Sequence, residues 1–345
     1  MKKTLIALAA VAATGASFAQ VTLSGEFAWG YLATSTNGVE KSGGGIDTSN
    51  LVFAAKEDLG SGMSIAYKAQ INLGEWGATT GADDQSLTLA TPMGALSLLT
   101  YRPGTWVMGA SGSSTWYGLD GKNLGARAQR DGYVLTIPVI DGLTLTGAFT
   151  EPAKSTGEGA GNAGQSGQGI YNVSAKYAAG AAVLQTAYLS YSNGGATDAT
   201  ADTVTRIGGT YDLGVAKVGA AFQMGKLSGG GKDNETAVSV SAPLSANLSV
   251  AGTYAIRDFT CGTAALCSNA AGARNGYQVQ AQYNMSKTAY LIASYGAWTG
   301  QTSTNTSAFA VDPTTGAVKQ ATQYNLATND GKDSTNMAIT LVKDF

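Results

Sequence analysis

Histidine is absent from the 345 residues, and only two cysteines and six prolines occur. Without histidine the usual general base and the commonest metal ligand are missing, which removes most hydrolase triads and catalytic zinc sites. No cofactor is expected. Long apolar runs are missing too: after the N-terminus no stretch approaches the ~18 consecutive apolar residues a transmembrane helix needs. Charge is scarce, at 13% of residues, and leans acidic. A basic footprint for nucleic acid is therefore lacking. Overall hydropathy is neutral, and small residues, with 47 glycines, are abundant. Such a chain cannot easily bury a core in the packed layers of a soluble domain.

The N-terminus reads as an export signal. Lys2 and Lys3 precede a short apolar run from Leu5 to Ala13, followed by the small-residue site Ser17-Phe18-Ala19. Residues 1–19 are expected to be removed, which leaves about 326 residues, from Gln20 onward. Of the 21 basic residues this takes away two, so 19 face 23 acidic ones and the mature net charge is about −4.

What the mature chain does contain is period-two alternation. The last ten residues, Asn336–Phe345, put Met337, Ile339, Leu341 and Phe345 on one face of a strand. Asn336, Ala338, Thr340, Val342 and Asp344 fall on the other. An apolar-faced strand that ends the chain on an aromatic residue suits a closed membrane barrel, whose last strand pairs with its first. Here the sequence resembles the general porins of Gram-negative bacteria, the betaproteobacterial and neisserial branch especially, whose final strand ends in phenylalanine. Lys343 departs from that pattern, which usually has an aromatic residue or histidine there.

Sixteen alternating segments can be traced. The first spans Val21–Tyr31, the third Met63–Ile71, and the sixth and seventh meet at Asp141-Gly142, a strong short hairpin signal. The expected fold is all-β: a 16-stranded antiparallel transmembrane barrel over residues 20–345, with short periplasmic turns and long outer loops. The long connections are expected at 32–49, 73–85, 102–132, 150–169, 192–202, 228–235, 257–275 and 299–335. A secreted β-sandwich would lack this one-sided bias in loop length, and a solenoid would repeat at a fixed period.

The resemblance implies that the third outer loop, residues 102–132, folds into the lumen and sets the constriction. Arg102, Asp120, Arg127, Arg130 and Asp131 would supply its charge. The family's acidic Pro-Glu-Phe-Gly-type motif is replaced here by Trp116-Tyr117-Gly118-Leu119-Asp120-Gly121. With the apolar face toward lipid, alternation places Glu26, Lys56, Lys68, Lys176, Arg206, Lys217 and Arg257 in the pore. Six basic residues against one acidic predict a modest anion preference. Gln278, Gln280 and Gln282 form an uncharged inner row. Trp29, Tyr31, Tyr171, Tyr177, Tyr277, Tyr283, Tyr295 and Phe345 sit outward near strand ends, where interfacial girdles or protomer contacts would place them. In an oxidising compartment Cys261 and Cys267 are expected to staple one outer loop.

The function expected is a passive diffusion channel for small ions and hydrophilic solutes, embedded in outer-membrane lipid. The resemblance implies a homotrimer. A barrel that serves adhesion without an open channel is the alternative, and a barrel enzyme is disfavoured by the missing histidine.

Overall fold

The structure, a computed structural model, describes residues 20–36, 38–74, 81–102, 104–117, 119, 124–125, 130–151, 169–192, 201–227, 229–260, 272–299, 310–311, 318–319 and 333–345. The strands are β1 (Gln20–Thr36), β2 (Val39–Gly60), β3 (Met63–Asn72), β4 (Gly81–Thr91), β5 (Gly94–Tyr101), β6 (Arg130–Ile140), β7 (Leu143–Thr150) and β8 (Ile170–Ala179). They continue as β9 (Ala182–Tyr191), β10 (Ala201–Asp212), β11 (Lys217–Leu227), β12 (Lys232–Pro243), β13 (Leu248–Thr260), β14 (Gly272–Asn284), β15 (Ala289–Trp298) and β16 (Ser334–Asp344). A one-turn helix, α1 (Trp106–Ala110), follows β5. Two-residue strands at Ala310–Val311 and Val318–Lys319 pair with each other outside the barrel sheet.

Each long strand pairs antiparallel with its sequence neighbours, and β16 closes the cylinder on β1 with Glu26 opposite Asp344 and Thr36 opposite Ser334. The seam ends in a reciprocal pair of backbone bonds. Gly25 N–H donates to the Phe345 oxygen at 3.0 Å, and Phe345 N–H donates to the Gly25 oxygen at 3.1 Å. The Phe345 ring lies over Gly25, where an added Cβ would come within 2.5 Å of it. Closure leaves no strand edge, which is what backbone in lipid requires. Lys343, the residue that departs from the terminal pattern, donates through Nζ to Thr288 Oγ1 at 2.7 Å in the adjacent turn.

Alternation is carried out as expected. Met337, Ile339 and Leu341 are about half exposed on the outer face, while Ala338, Thr340 and Val342 are buried on the inner one. The eight aromatics expected outside are all exposed there. Gly142 takes a φ of +77° in the Asp-Gly turn, where a Cβ would sit 2.2 Å from the Ala178 carbonyl. Only glycine fits that turn.

The strands run longer than their apolar patterns. The connection expected at 32–49 is mostly ladder, since β1 extends to Thr36 and β2 begins at Val39. Its outer half carries Gly43, Gly44 and Gly45 and little hydrophobic signal, although the backbone pairing continues. Likewise β12 begins at Lys232, inside the connection expected at 228–235.

Candidate functional site: a loop folded into the barrel

After β5 the chain turns inward. Trp106-Val107-Met108-Gly109-Ala110 forms α1, and Val107, Met108 and Ala110 are buried against the inner faces of β10, β11 and β12. The approach depends on Gly219. A Cβ there would lie 2.3 Å from the Ser111 carbonyl, so the bare β11 backbone is what lets the end of α1 touch the wall. The segment then crosses the inner wall strand by strand. Ser111 Oγ and Ser239 Oγ share a bond of 2.9 Å, and Ser113 Oγ and Thr253 Oγ1 share one of 2.7 Å. Trp116 N–H donates to Gln280, and the Trp116 ring packs on Tyr290 and the Ala28–Ile292–Val342 cluster.

The far anchor is Asp47. It accepts from Trp116 Nε1–H at 2.7 Å and from the Tyr117 hydroxyl at 3.1 Å. Tyr117 Oη also lies 2.9 Å from Thr340 Oγ1. Burial, with Asp47 adding to it, pushes the Tyr117 phenol well above its ordinary range. Asp47 points inward because of a bulge: Ala28 pairs with Thr48 and Trp29 with Ile46, which leaves Asp47 as the extra residue. The returning limb is held by Glu235 on β12, whose Oε1 accepts from Gly125 N–H at 2.6 Å. Leu119 and Leu124 pack beside it on Ala221, Ala237 and Ala255.

Burial marks which half of the lumen the segment fills. Inner-face residues of β12–β16 are sealed, among them Ser239, Thr253, Gln278, Gln280, Ser294, Asn336 and Thr340. Those of β3–β7 are mostly only partly covered. The open passage therefore runs along the β3–β7 wall.

The residues expected in the pore fall into four groups. Lys56 and Lys176 are exposed on the inner face toward the turn end, Lys68 is exposed midway along β3, and Lys217 starts β11 beneath Gly112. Glu26 is inward near the seam, opposite Asp344. Arg257 is neutralised: its Nε and Nη2 donate to Asp233 at 2.7 and 2.8 Å, and Glu235 lies 3.6 Å away. Arg206 differs. Its Nε donates to Gln223 Oε1 at 2.7 Å, Gln223 in turn donates to Glu235 at 3.2 Å, and its guanidinium carbon sits 5.6 Å from the Trp106 ring centre. No ion pair is made by Arg206 among the described residues.

Of the loop residues, Arg102 donates its N–H to Asp84 at 2.8 Å at the end of β5. Arg130 belongs to β6 and faces inward, paired across the ladder with Tyr101. Asp131 corrects the expectation. It is the second residue of β6, it shares the outward side with Tyr133, and it accepts a hydrogen bond from outward-facing Thr100. Strand parity thus removes it from the lumen. Asp120, Arg127, Cys261, Cys267 and residues 1–19 lie outside the described residues.

Sequence reasoning missed Asp47, Asp233, Glu235 and Trp106. All of them fall in stretches read as outer loops. Inner-face alternation through Asp233, Glu235, Ala237 and Ser239 was the available signal for the acidic pair. The bulge behind Asp47 leaves no such mark.

A closed sixteen-stranded barrel, apolar outside and narrowed by a loop within, defines an outer-membrane channel. The chain belongs to the Gram-negative porin family, whose model matches residues 4–303. Among solved structures it is similar to the anion-selective porin from Comamonas acidovorans, at 18% identity and a TM-score of 0.65, covering 95% of this chain and 100% of that one. The outer-membrane protein OmpT of Vibrio cholerae, in its trimer form, gives 13% identity and a TM-score of 0.65 over 94% and 99%. A mutant Rh. blastica porin gives 12% and 0.61 over 94% and 100%. At these identities the likeness is one of fold. No curated protein matches the sequence significantly.

Proposed function

We propose that the barrel is a passive channel for small hydrophilic solutes that passes anions in preference to cations, narrowed by residues 102–132. The observation that carries the preference is the asymmetry of partners at the loop. Its inner acids are engaged: Asp233 and Glu235 with Arg257 and Gly125, and Asp47 with Trp116 and Tyr117. Arg206, Lys56, Lys68 and Lys176 have no carboxylate partner in the ion pairs described. Charge of one sign along a water-filled wall raises the local concentration of the opposite ion. The similar Comamonas porin is itself anion-selective.

Assembly as a homotrimer fits the trimer form of the Vibrio protein. No bond is made or broken in this function, and no cofactor takes part. Planar-bilayer recording tests it: stable conductance steps, arriving in threes, are expected. Purified protein that inserts without conducting would favour a surface role such as adhesion.

A further inference from the structure

The border between the inward loop and the open wall carries a cluster that simple ion passage does not need. Arg206 lies against the face of Trp106, with its Nε held by Gln223. Its two Nη groups have no hydrogen-bond partner among the described residues. Tyr191, the last residue of β9, lies within electrostatic reach of both Arg206 and Arg130, and Tyr101 is likewise near both arginines. Strand parity turns all four wall residues inward, and α1 brings Trp106 to them. Behind Tyr191 the wall is apolar, formed by Ile170, Leu189 and Val204.

We propose that this cluster is a binding site for aromatic carboxylates in transit through the channel. The proposal rests on the anion-preferring reading above and names a solute class for it. A guanidinium whose Nε is already fixed presents its remaining N–H groups as a fork, the geometry that holds a carboxylate with two bonds. Arg130, on β6, adds a second positive charge within electrostatic reach of the same two tyrosines. Trp106, Tyr191 and Tyr101 offer the solute its aromatic partners, and an aromatic pair gains free energy beyond burial alone. Small inorganic anions use the charges but not the rings. Acetate uses the fork but not the stack.

The test is block of chloride current by benzoate and by acetate in planar bilayers, on wild type, R206Q and W106L. Benzoate is expected to reduce wild-type current at a concentration about two- to twelvefold lower than acetate, which is what ~0.5–1.5 kcal/mol for an aromatic contact converts to. In R206Q benzoate block weakens about tenfold, as loss of a charge-assisted hydrogen bond implies. In W106L the gap between benzoate and acetate closes. Each variant that gives conductance steps is folded. Should neither variant insert, the wild-type comparison decides alone: equal block by the two carboxylates overturns the site. So does benzoate block that is unchanged in R206Q. The reversal potential of the same membranes separates the two readings. Anion preference with no benzoate block sinks the site and leaves the channel standing.

Discussion

Trp116 donates its indole N–H to Asp47 at 2.7 Å, which joins the middle of the inward loop to a bulge on the far wall of the barrel. Asp47 also takes the Tyr117 hydroxyl, so a single carboxylate holds two side chains of the loop. Hydrogen bonds to a charged group contribute about 1.5–3 kcal/mol each. Replacing Asp47 by Ala frees this end of the loop while the barrel ladder stays intact. The expected result is a larger and noisier single-channel conductance with the same heat resistance of the folded barrel. Unchanged current noise would show that the loop is held elsewhere.

The same tether sets an alkaline limit. The folded-state phenol of Tyr117 is raised above its ordinary range by burial first and by Asp47 second. A raised folded value means that the stabilisation is complete below the ordinary tyrosine range and falls as pH rises from there toward the folded value. The loop should therefore stay quiet through neutral and mildly alkaline pH and loosen only in strong base. Tyr117→Phe should remove that alkaline onset of noise. An onset near neutral pH, or one that persists in the variant, would contradict the assignment.

Gly219 permits the contact between α1 and β11. With a Cβ 2.3 Å from the Ser111 carbonyl and 2.8 Å from that of Gly209, Gly219→Ala must push α1 off the wall toward the passage. Conductance should fall in this variant, the reverse of its rise in the Asp47 variant. Ala at Gly147, where nothing lies within 4 Å, serves as the matched control. Equal conductance in all three proteins would refute the packing described here.

Glu235 joins the returning limb to Arg257 and Gly125. Glu235→Gln keeps an acceptor for Gly125 but removes a negative charge from the inner wall. A shift of the reversal potential toward stronger anion preference is expected. Arg257→Ala instead leaves Asp233 and Glu235 together in a partly buried site, and loss of one member of a buried pair costs about 3–5 kcal/mol. Thermal unfolding in detergent should show a clear drop in Tm for Arg257→Ala and a smaller one for Glu235→Gln. The opposite order would overturn the ion-pair account.

The barrel was legible in the sequence because one physical demand recurs in every strand: alternate residues must face lipid. Strands such as Met63–Asn72 and Ser334–Asp344 carry that mark throughout, and the Asp141-Gly142 turn announces itself. The site was less legible for a related reason. Where β1 and β2 extend past their apolar stretch, the backbone still pairs, but Gly43–Gly45 carry no alternation, so Asp47 was counted with a loop. Parity turns Arg206, Arg257 and the glutamine row inward, yet it cannot say which arginine has a partner. That depends on Asp233 and Glu235, which precede the apolar alternation of β12 although the strand already begins at Lys232. The path of the loop interior was beyond pattern altogether. Its anchors join Ser113 to Thr253, Trp116 to Asp47 and Tyr117 to Thr340, pairs that only the closed barrel brings together.

The reversal potential across a planar bilayer bathed in unequal potassium chloride tests the central claim most directly. Wild-type channels should reverse on the chloride side of zero, and Arg206→Glu should move that value toward potassium. A wild-type potential on the potassium side, or one that Arg206→Glu leaves in place, would contradict the account.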